Sequence, residues 1–139
     1  MRVLVLGAAG FIGGRTVAGL LAAGHVVTCA GRDPDMLRRR FPSCLAVHSD
    51  LLTDDRAAWL PRLADSEAVV NAAGTLRGSL ERVHYIGPIA LFDACAEIGV
   101  PRLLQISALG AGSQPNSRFL ATKNEADAHL LRLARERGR

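Results

Sequence analysis

The sequence predicts an α/β fold: a parallel five-stranded sheet of order 3-2-1-4-5 with helices on both faces. Three observations carry this. Short apolar runs alternate with amphipathic stretches along the whole chain. The first run, "RVLVLG" (2–7), is rich in β-branched residues and unbroken from Val3 on, as a strand buried on both faces requires. That run leads directly into a glycine-spaced turn and a helical pattern, the opening of a βαβ unit.

Residues 11–23 read as the first helix, with Val17, Leu20 and Leu21 on one face and Gly24 as the stop. "HVVTCA" (25–30) is the second strand. Asp33 supplies an N-cap and Pro34 a first helical position for a short helix ending near Arg40. "CLAVHS" (44–49) is the third strand, and residues 54–63 form a short helix disturbed by Pro61. "EAVVNAAG" (67–74) is a fourth strand with a small-residue exit. Residues 79–98 make a long helix with Leu80, Val83, Leu91, Ala94, Cys95 and Ile98 on one stripe. Gly87-Pro88 predicts a kink in it, because proline has no amide hydrogen and crowds the preceding turn. "RLLQIS" (102–107) is the fifth strand. A loop rich in small and polar residues follows, and the last helix covers about 117–136. Such alternation, without repeat or linker, implies right-handed crossovers and the open part of a three-layer Rossmann fold.

A length of 139 residues suits one domain with a real core, and 49% apolar with 22% charged residues argues against disorder. Cys29, Cys44 and Cys95 are odd in number, widely spaced and without a CxxC. They read as small core residues rather than a disulfide framework or metal site. The net charge of +4 comes partly from "RRR" (38–40) and "RERGR" (135–139). Only six aromatics occur, none interleaved with the arginines, so nucleic acid is not an expected partner. No apolar run approaches the ~18 residues of a membrane span. The apolar start is too short for a signal peptide core, which leaves the cytoplasm as the default location.

"GAAGFIGG" carries the first chemistry. Gly7 allows a tight turn, Gly10 lets a pyrophosphate approach the backbone, and Gly13 lets the helix pack on the sheet. The N–H groups of Phe11 and Ile12 then face the phosphates at the positive end of the helix. In "CAGRDP" the first polar side chain past strand two is Arg32, where NAD binders usually carry an acid. A guanidinium there suits a 2′-phosphate, so NADP is favoured and NAD remains open. Asp33 serves better as the helix cap. After strand three, Asp50 is either an acceptor for the adenine amino group, with Leu51 against the ring, or a turn aspartate.

Together these residues resemble the short-chain dehydrogenase/reductase superfamily, on its extended and atypical side. The motifs are "GAAGFIG", "SDLL" (49–52), "NAAG" (Asn71, Ala72, Ala73, Gly74) and "ISALGA" (106–111). The resemblance covers the whole chain but only the nucleotide-binding half of the family fold. Atypical members of this kind include NmrA-like sensors and the nucleotide-binding accessory subunit of respiratory complex I. The family places a Tyr-x-x-x-Lys pair on the helix after strand five, with the tyrosine as general acid or base and the lysine on the nicotinamide ribose. A serine after strand five holds the substrate carbonyl.

Lys123, the only lysine in the chain, matches the family lysine. An ammonium reaching ribose hydroxyls is not replaced by a planar guanidinium. Ser107 is the candidate serine. The tyrosine position is Phe119, which has no proton to give. His84 stands where the family often has asparagine, and reads as a polar filler or a proton relay.

The resemblance implies an NADP(H)-binding domain of a reductase-like or epimerase-like protein, with Lys123 orienting the nicotinamide. The alternative is a non-catalytic sensor or scaffold, which Phe119 supports. The chain reaches no sixth strand and no substrate cap. The expectation is a fragment, or a homodimer or larger complex covering the edge of strand five.

Overall fold

The computed structural model describes residues 1–75, 78–107 and 117–138. The elements are β1 (Arg2–Leu6), α1 (Phe11–Ala22), β2 (Val26–Gly31), α2 (Pro34–Arg40), β3 (Leu45–His48), α3 (Arg56–Trp59), β4 (Ala68–Asn71), α4 (Gly87–Ile98), β5 (Arg102–Gln105) and α5 (Arg118–Glu136). All strand pairs are parallel and the order is β3-β2-β1-β4-β5. Val5 sits in register with Cys29 on one side and Val70 on the other.

The unbroken apolar run of β1 has a direct cause. Val3 and Val5 point into one core with Val17, Val27 and Leu37. Leu4 and Leu6 point into the other with Trp59, Leu63, Leu91 and Phe92. Both faces of the strand are therefore dry, which is the layered packing of an α/β fold. The three cysteines are buried and free, as core residues should be. Burial pushes the Cys95 thiol up to about 12. Burial and then the neighbouring Cys44 do the same to Cys29, also to about 12. Neither offers a thiolate near neutral pH.

Two proline signals resolve into local geometry. The helix expected over 54–63 is α-helical only to Trp59, then tightens into a 3₁₀ turn over Leu60–Leu63 that contains Pro61. Asp55 caps its start by accepting from the Ala58 amide at 2.9 Å. Ahead of Pro88, a π-helical turn over Arg82–Ile86 runs straight into α4. The Gly87 amide bonds back five residues to the Arg82 carbonyl. The ladder widens just before the residue that cannot donate. That extra residue shifts the helical phase between the Leu80–Val83 part of the expected stripe and the Leu91–Ile98 part. Leu91, Ala94 and Cys95 are buried, but Ile98 is 38% exposed and His84, absent from the stripe, is only 1% exposed.

Candidate cofactor site

The site begins where β1 ends. Gly7 has φ +82°, a conformation that favours glycine, and a Cβ there would lie 2.6 Å from the Ala72–Ala73 backbone. The turn closes through the Gly10 amide, which donates to the Gly7 carbonyl at 3.0 Å. Gly13 faces the same carbonyl from the first turn of α1, and a Cβ on it would overlap the oxygen and stand 2.6 Å from its carbon. Gly10 is different: a Cβ would meet only the Gly7 oxygen, at an ordinary 3.4 Å. The protein itself does not require a bare backbone at Gly10, and that residue borders open space. No side chain caps α1 and no acid stands in its first turn, so the positive end of the helix is open. Phe11 and Ile12, whose amides begin this helix, turn their side chains outward.

That open space is a cleft of about 420 Å³ along the C-terminal ends of the central strands. Gly7, Gly10, Arg32, Asp50, Leu51, Ala72, Ala73 and Gly74 all line it. This is the crevice where sheets of this topology hold ligands, at the point where strand order reverses. Arg32 stands exposed at the β2 end. Asp33 is engaged elsewhere, accepting from the Met36 amide at 3.1 Å as the cap of α2. Asp50 shows its turn role, with one oxygen accepting from the Leu52 amide at 2.9 Å, and it also borders the cleft.

Several expected residues stand off the lining. Phe11, Ile12 and Gly13 belong to the helix behind the turn. Asn71 is a buried strut: its amide nitrogen donates to Gln105 at 2.8 Å, and its oxygen accepts from the Ala73 amide at 3.2 Å. It shapes the β4 exit from beneath. Ser49 lines the cleft with its hydroxyl buried and without a partner among the described residues. Sequence reasoning quoted this serine inside "SDLL" without giving it a role. Thr75, Ser79 and Val83 also line the cleft and were not foreseen, because no spacing rule marks them. An open helix terminus, a bare glycine backbone, an exposed guanidinium and an orphaned hydroxyl fit a dinucleotide.

A second group of side chains gathers behind Gly74. A Cβ on Gly74 would lie 3.5 Å from Nε2 of His84 and 3.9 Å from Nζ of Lys123. Lys123 is buried and donates to the Ile106 carbonyl at 2.9 Å. Burial lowers its pKa below the usual lysine value, with Asp127 pulling the other way. Nε2 of His84 accepts from the Thr75 amide at 2.9 Å, and Nδ1 meets the Thr122 hydroxyl at 3.2 Å. The ring is therefore neutral with its proton on Nδ1. Burial first, then the Lys123 charge, push it down to about 4. Both ring nitrogens of His84 are thus engaged, by the Thr75 amide and the Thr122 hydroxyl. Phe119 packs against its ring at 5.0 Å between centroids, edge to face.

Ser107 is exposed just beyond β5 and gives its hydroxyl hydrogen to Asp127. The "ALGA" part of "ISALGA" and the rest of that loop, residues 108–116, lie outside the described residues.

This arrangement defines a dinucleotide-binding Rossmann domain. A family model described as NAD(P)H-binding matches residues 7–137, and the chain belongs to that family. A comparison with curated proteins finds no match. Among solved structures, the chain is similar to a protein assigned as an NAD-dependent epimerase/dehydratase from Bacillus halodurans. The identity is 26%, the coverage 95% of this chain and 65% of that one, and the TM-score 0.80. MoeE5, solved with UDP-glucuronic acid and NAD, gives 26% identity, 96% and 50% coverage, and a TM-score of 0.80. UDP-glucose 4-epimerase from Thermotoga maritima shares the fold at 21% identity, with coverage of 99% and 52% and a TM-score of 0.84. The chain spans about half to two thirds of the length of these structures. Among the described residues, no helix is long and apolar enough to cross a membrane.

Proposed function

We propose that residues 1–139 are the cofactor-binding part of an atypical short-chain dehydrogenase/reductase-like protein, selective for NADP(H), which senses or scaffolds the cofactor without tyrosine-dependent turnover. Arg32 carries the selectivity. It lines the cleft where an acid would contact the ribose of NAD, and the nearest acid, Asp33, is committed to the α2 cap. Gly7, Gly10 and the Phe11 and Ile12 amides seat the diphosphate. Leu51 and Asp50 border the adenine, and Ala72, Ala73 and Gly74 form the wall toward the nicotinamide. The absence of turnover rests on Phe119. Its ring closes against His84, whose nitrogens are both engaged, so neither supplies a mobile proton.

A second reading, a reductase or epimerase, is favoured by one observation. Lys123 stands behind the β4 exit, and Ser107 lies exposed beyond β5 on the next strand. The nicotinamide would supply the hydride, Lys123 would orient it, and Ser107 would turn its hydroxyl hydrogen from Asp127 to a substrate carbonyl. In either reading the protein works in the cytoplasm, as a homodimer or within a larger complex. Leu104, 51% exposed on edge strand β5, supports such an assembly.

The test is fluorescence titration with NADPH and NADH, followed by a screen for NADPH oxidation with carbonyl substrates. Arg32→Ala should weaken NADPH about tenfold or more, the scale of a charge-assisted phosphate contact, and leave NADH nearly unchanged. Equal losses for both cofactors would remove the NADP assignment. Rapid oxidation of NADPH with a carbonyl substrate would replace the sensor by the reductase.

A further inference from the structure

The segment after β3 stands between two open spaces. Ser49, Asp50, Leu51 and Leu52 line the cofactor cleft. The next residues, Thr53 and Asp54, line a second cavity of about 340 Å³ together with Arg82. A few specific contacts hold the segment there. Asp54 accepts from the Asp50 amide at 2.7 Å, and Arg62 grips the same carboxylate at 2.6 Å. From the helix behind, Nη2 of Arg82 donates to the Leu51 carbonyl at 3.0 Å. Gly87 makes room for this approach: a Cβ on it would lie 2.8 Å from the Leu51 oxygen and 2.9 Å from the Leu51 Cβ. The π turn that begins at Arg82 ends on Gly87, so one turn carries both contacts with Leu51. Nε of Arg82 is buried without a partner among the described residues. A buried donor left unpaired costs stability, so a guanidinium here is poorly suited to stability alone.

We infer that Arg82 is a positioning residue for base recognition: braced against the Leu51 carbonyl, it fixes where Asp50 meets the 6-amino group of adenine. This rests on the dinucleotide reading above, with Asp50 and Leu51 at the adenine. Asp50 spends one oxygen on the Leu52 amide at 2.9 Å, and its other oxygen remains to accept from the base. Such an acceptor discriminates. Adenine offers an amino group at that place, whereas hypoxanthine offers a carbonyl oxygen that the carboxylate repels. The discrimination depends on placement, because a hydrogen bond weakens steeply when it is misaligned. Arg82 acts on Asp50 through the backbone, since Leu51 is the next residue. Among the described residues, its bond to Leu51 is the one hydrogen bond that ties residues 49–54 to the π turn and α4.

The experiment measures the affinities of the full chain, Arg82→Met and Arg82→Lys for NADPH and for deamino-NADPH, which carries hypoxanthine in place of adenine. Methionine keeps an unbranched stem without a donor, and lysine restores both donor and charge. Thermal melting verifies that each variant folds. Arg82→Gln, whose amide is too short to span to the carbonyl, replaces Arg82→Met if that variant does not fold. The unaltered chain is expected to favour NADPH about tenfold, the scale of a hydrogen bond to a charged group. Arg82→Met should weaken NADPH about tenfold and deamino-NADPH by less than about threefold, which removes most of the preference. Arg82→Lys should recover it. Equal losses for the two compounds would reduce Arg82 to a support of the fold and overturn the inference, as would an unchanged NADPH affinity. If the unaltered chain binds both compounds alike, this inference fails and the dinucleotide reading stands. If it binds neither, both fail together.

Discussion

Gly13→Ala is expected to destabilise the chain by about 3 kcal/mol or more and to abolish measurable dinucleotide binding. The added carbon would overlap the Gly7 carbonyl oxygen, stand 2.6 Å from its carbon and 3.1 Å from Cα of Ala8. All three atoms are backbone, so no rotamer change relieves the overlap. Either α1 moves off the sheet or the turn opens. The turn has little freedom, because Gly7 is itself pressed against the Ala72–Ala73 backbone. The damage therefore spreads to the β4 exit and to the amides that would hold the diphosphate. Gly19→Ala, in the same helix, is the control: nothing lies within 4 Å of a Cβ there. Alanine is the better helix former, so that variant should gain up to about 1 kcal/mol. Urea denaturation of the pair measures the contrast. A Gly13→Ala protein as stable as its parent would refute the packing described for the turn.

The second large effect is a loss of stability in mild acid governed by His84. Its folded pKa of about 4 lies below the ordinary value of 6.5, because burial and then Lys123 disfavour the charged ring. Between those two values the unfolded chain binds a proton that the folded chain does not. Stability therefore falls as pH drops from about 6.5 toward 4 and levels off, for this group, below that. The depression corresponds to up to about 3 kcal/mol. Protonation would also cost the Thr75 amide its acceptor, which lines the cleft.

Asp54 acts lower in pH. Burial raises its pKa, but the Arg62 hydrogen bond, the Asp50 amide and the Arg62 charge outweigh this and hold it below its usual value. Its share is lost only as pH falls through that lowered value. Melting temperature followed from pH 7 to pH 4 should decline steeply in the unaltered chain and more gently in His84→Asn. Parallel slopes would show that His84 does not titrate as described.

The order of elements was legible because each depends on a local period. β1 carries an unbroken apolar run since both its faces are covered, and α5 begins where Ser117 accepts from the Leu120 amide. Gly7 and Gly13 were readable because each meets backbone, which only glycine spacing can anticipate. His84 could be placed on a helix, but not inside the core. The π turn before Pro88 alters the phase that a regular helical wheel assumes. Ser49 and Arg82 were out of reach for a different reason. Ser49 takes its meaning from a buried hydroxyl, without a partner among the described residues, inside a cleft, and Arg82 bonds a residue thirty-one positions away. Lys123 was found through the family spacing. Its anchor on the Ile106 carbonyl was not, since that bond joins α5 to the end of another strand.

Calorimetric titration of NADPH into the unaltered chain and into Gly10→Val tests the cofactor cleft most directly. A Cβ at Gly10 meets nothing tighter in the protein than the Gly7 oxygen at 3.4 Å, and its φ of −78° is open to any residue. The variant should therefore fold normally while its side chain fills the diphosphate seat. The account predicts saturable binding of one NADPH per chain and no detectable heat from Gly10→Val. Undiminished binding by the variant, or none by the unaltered chain, would contradict it.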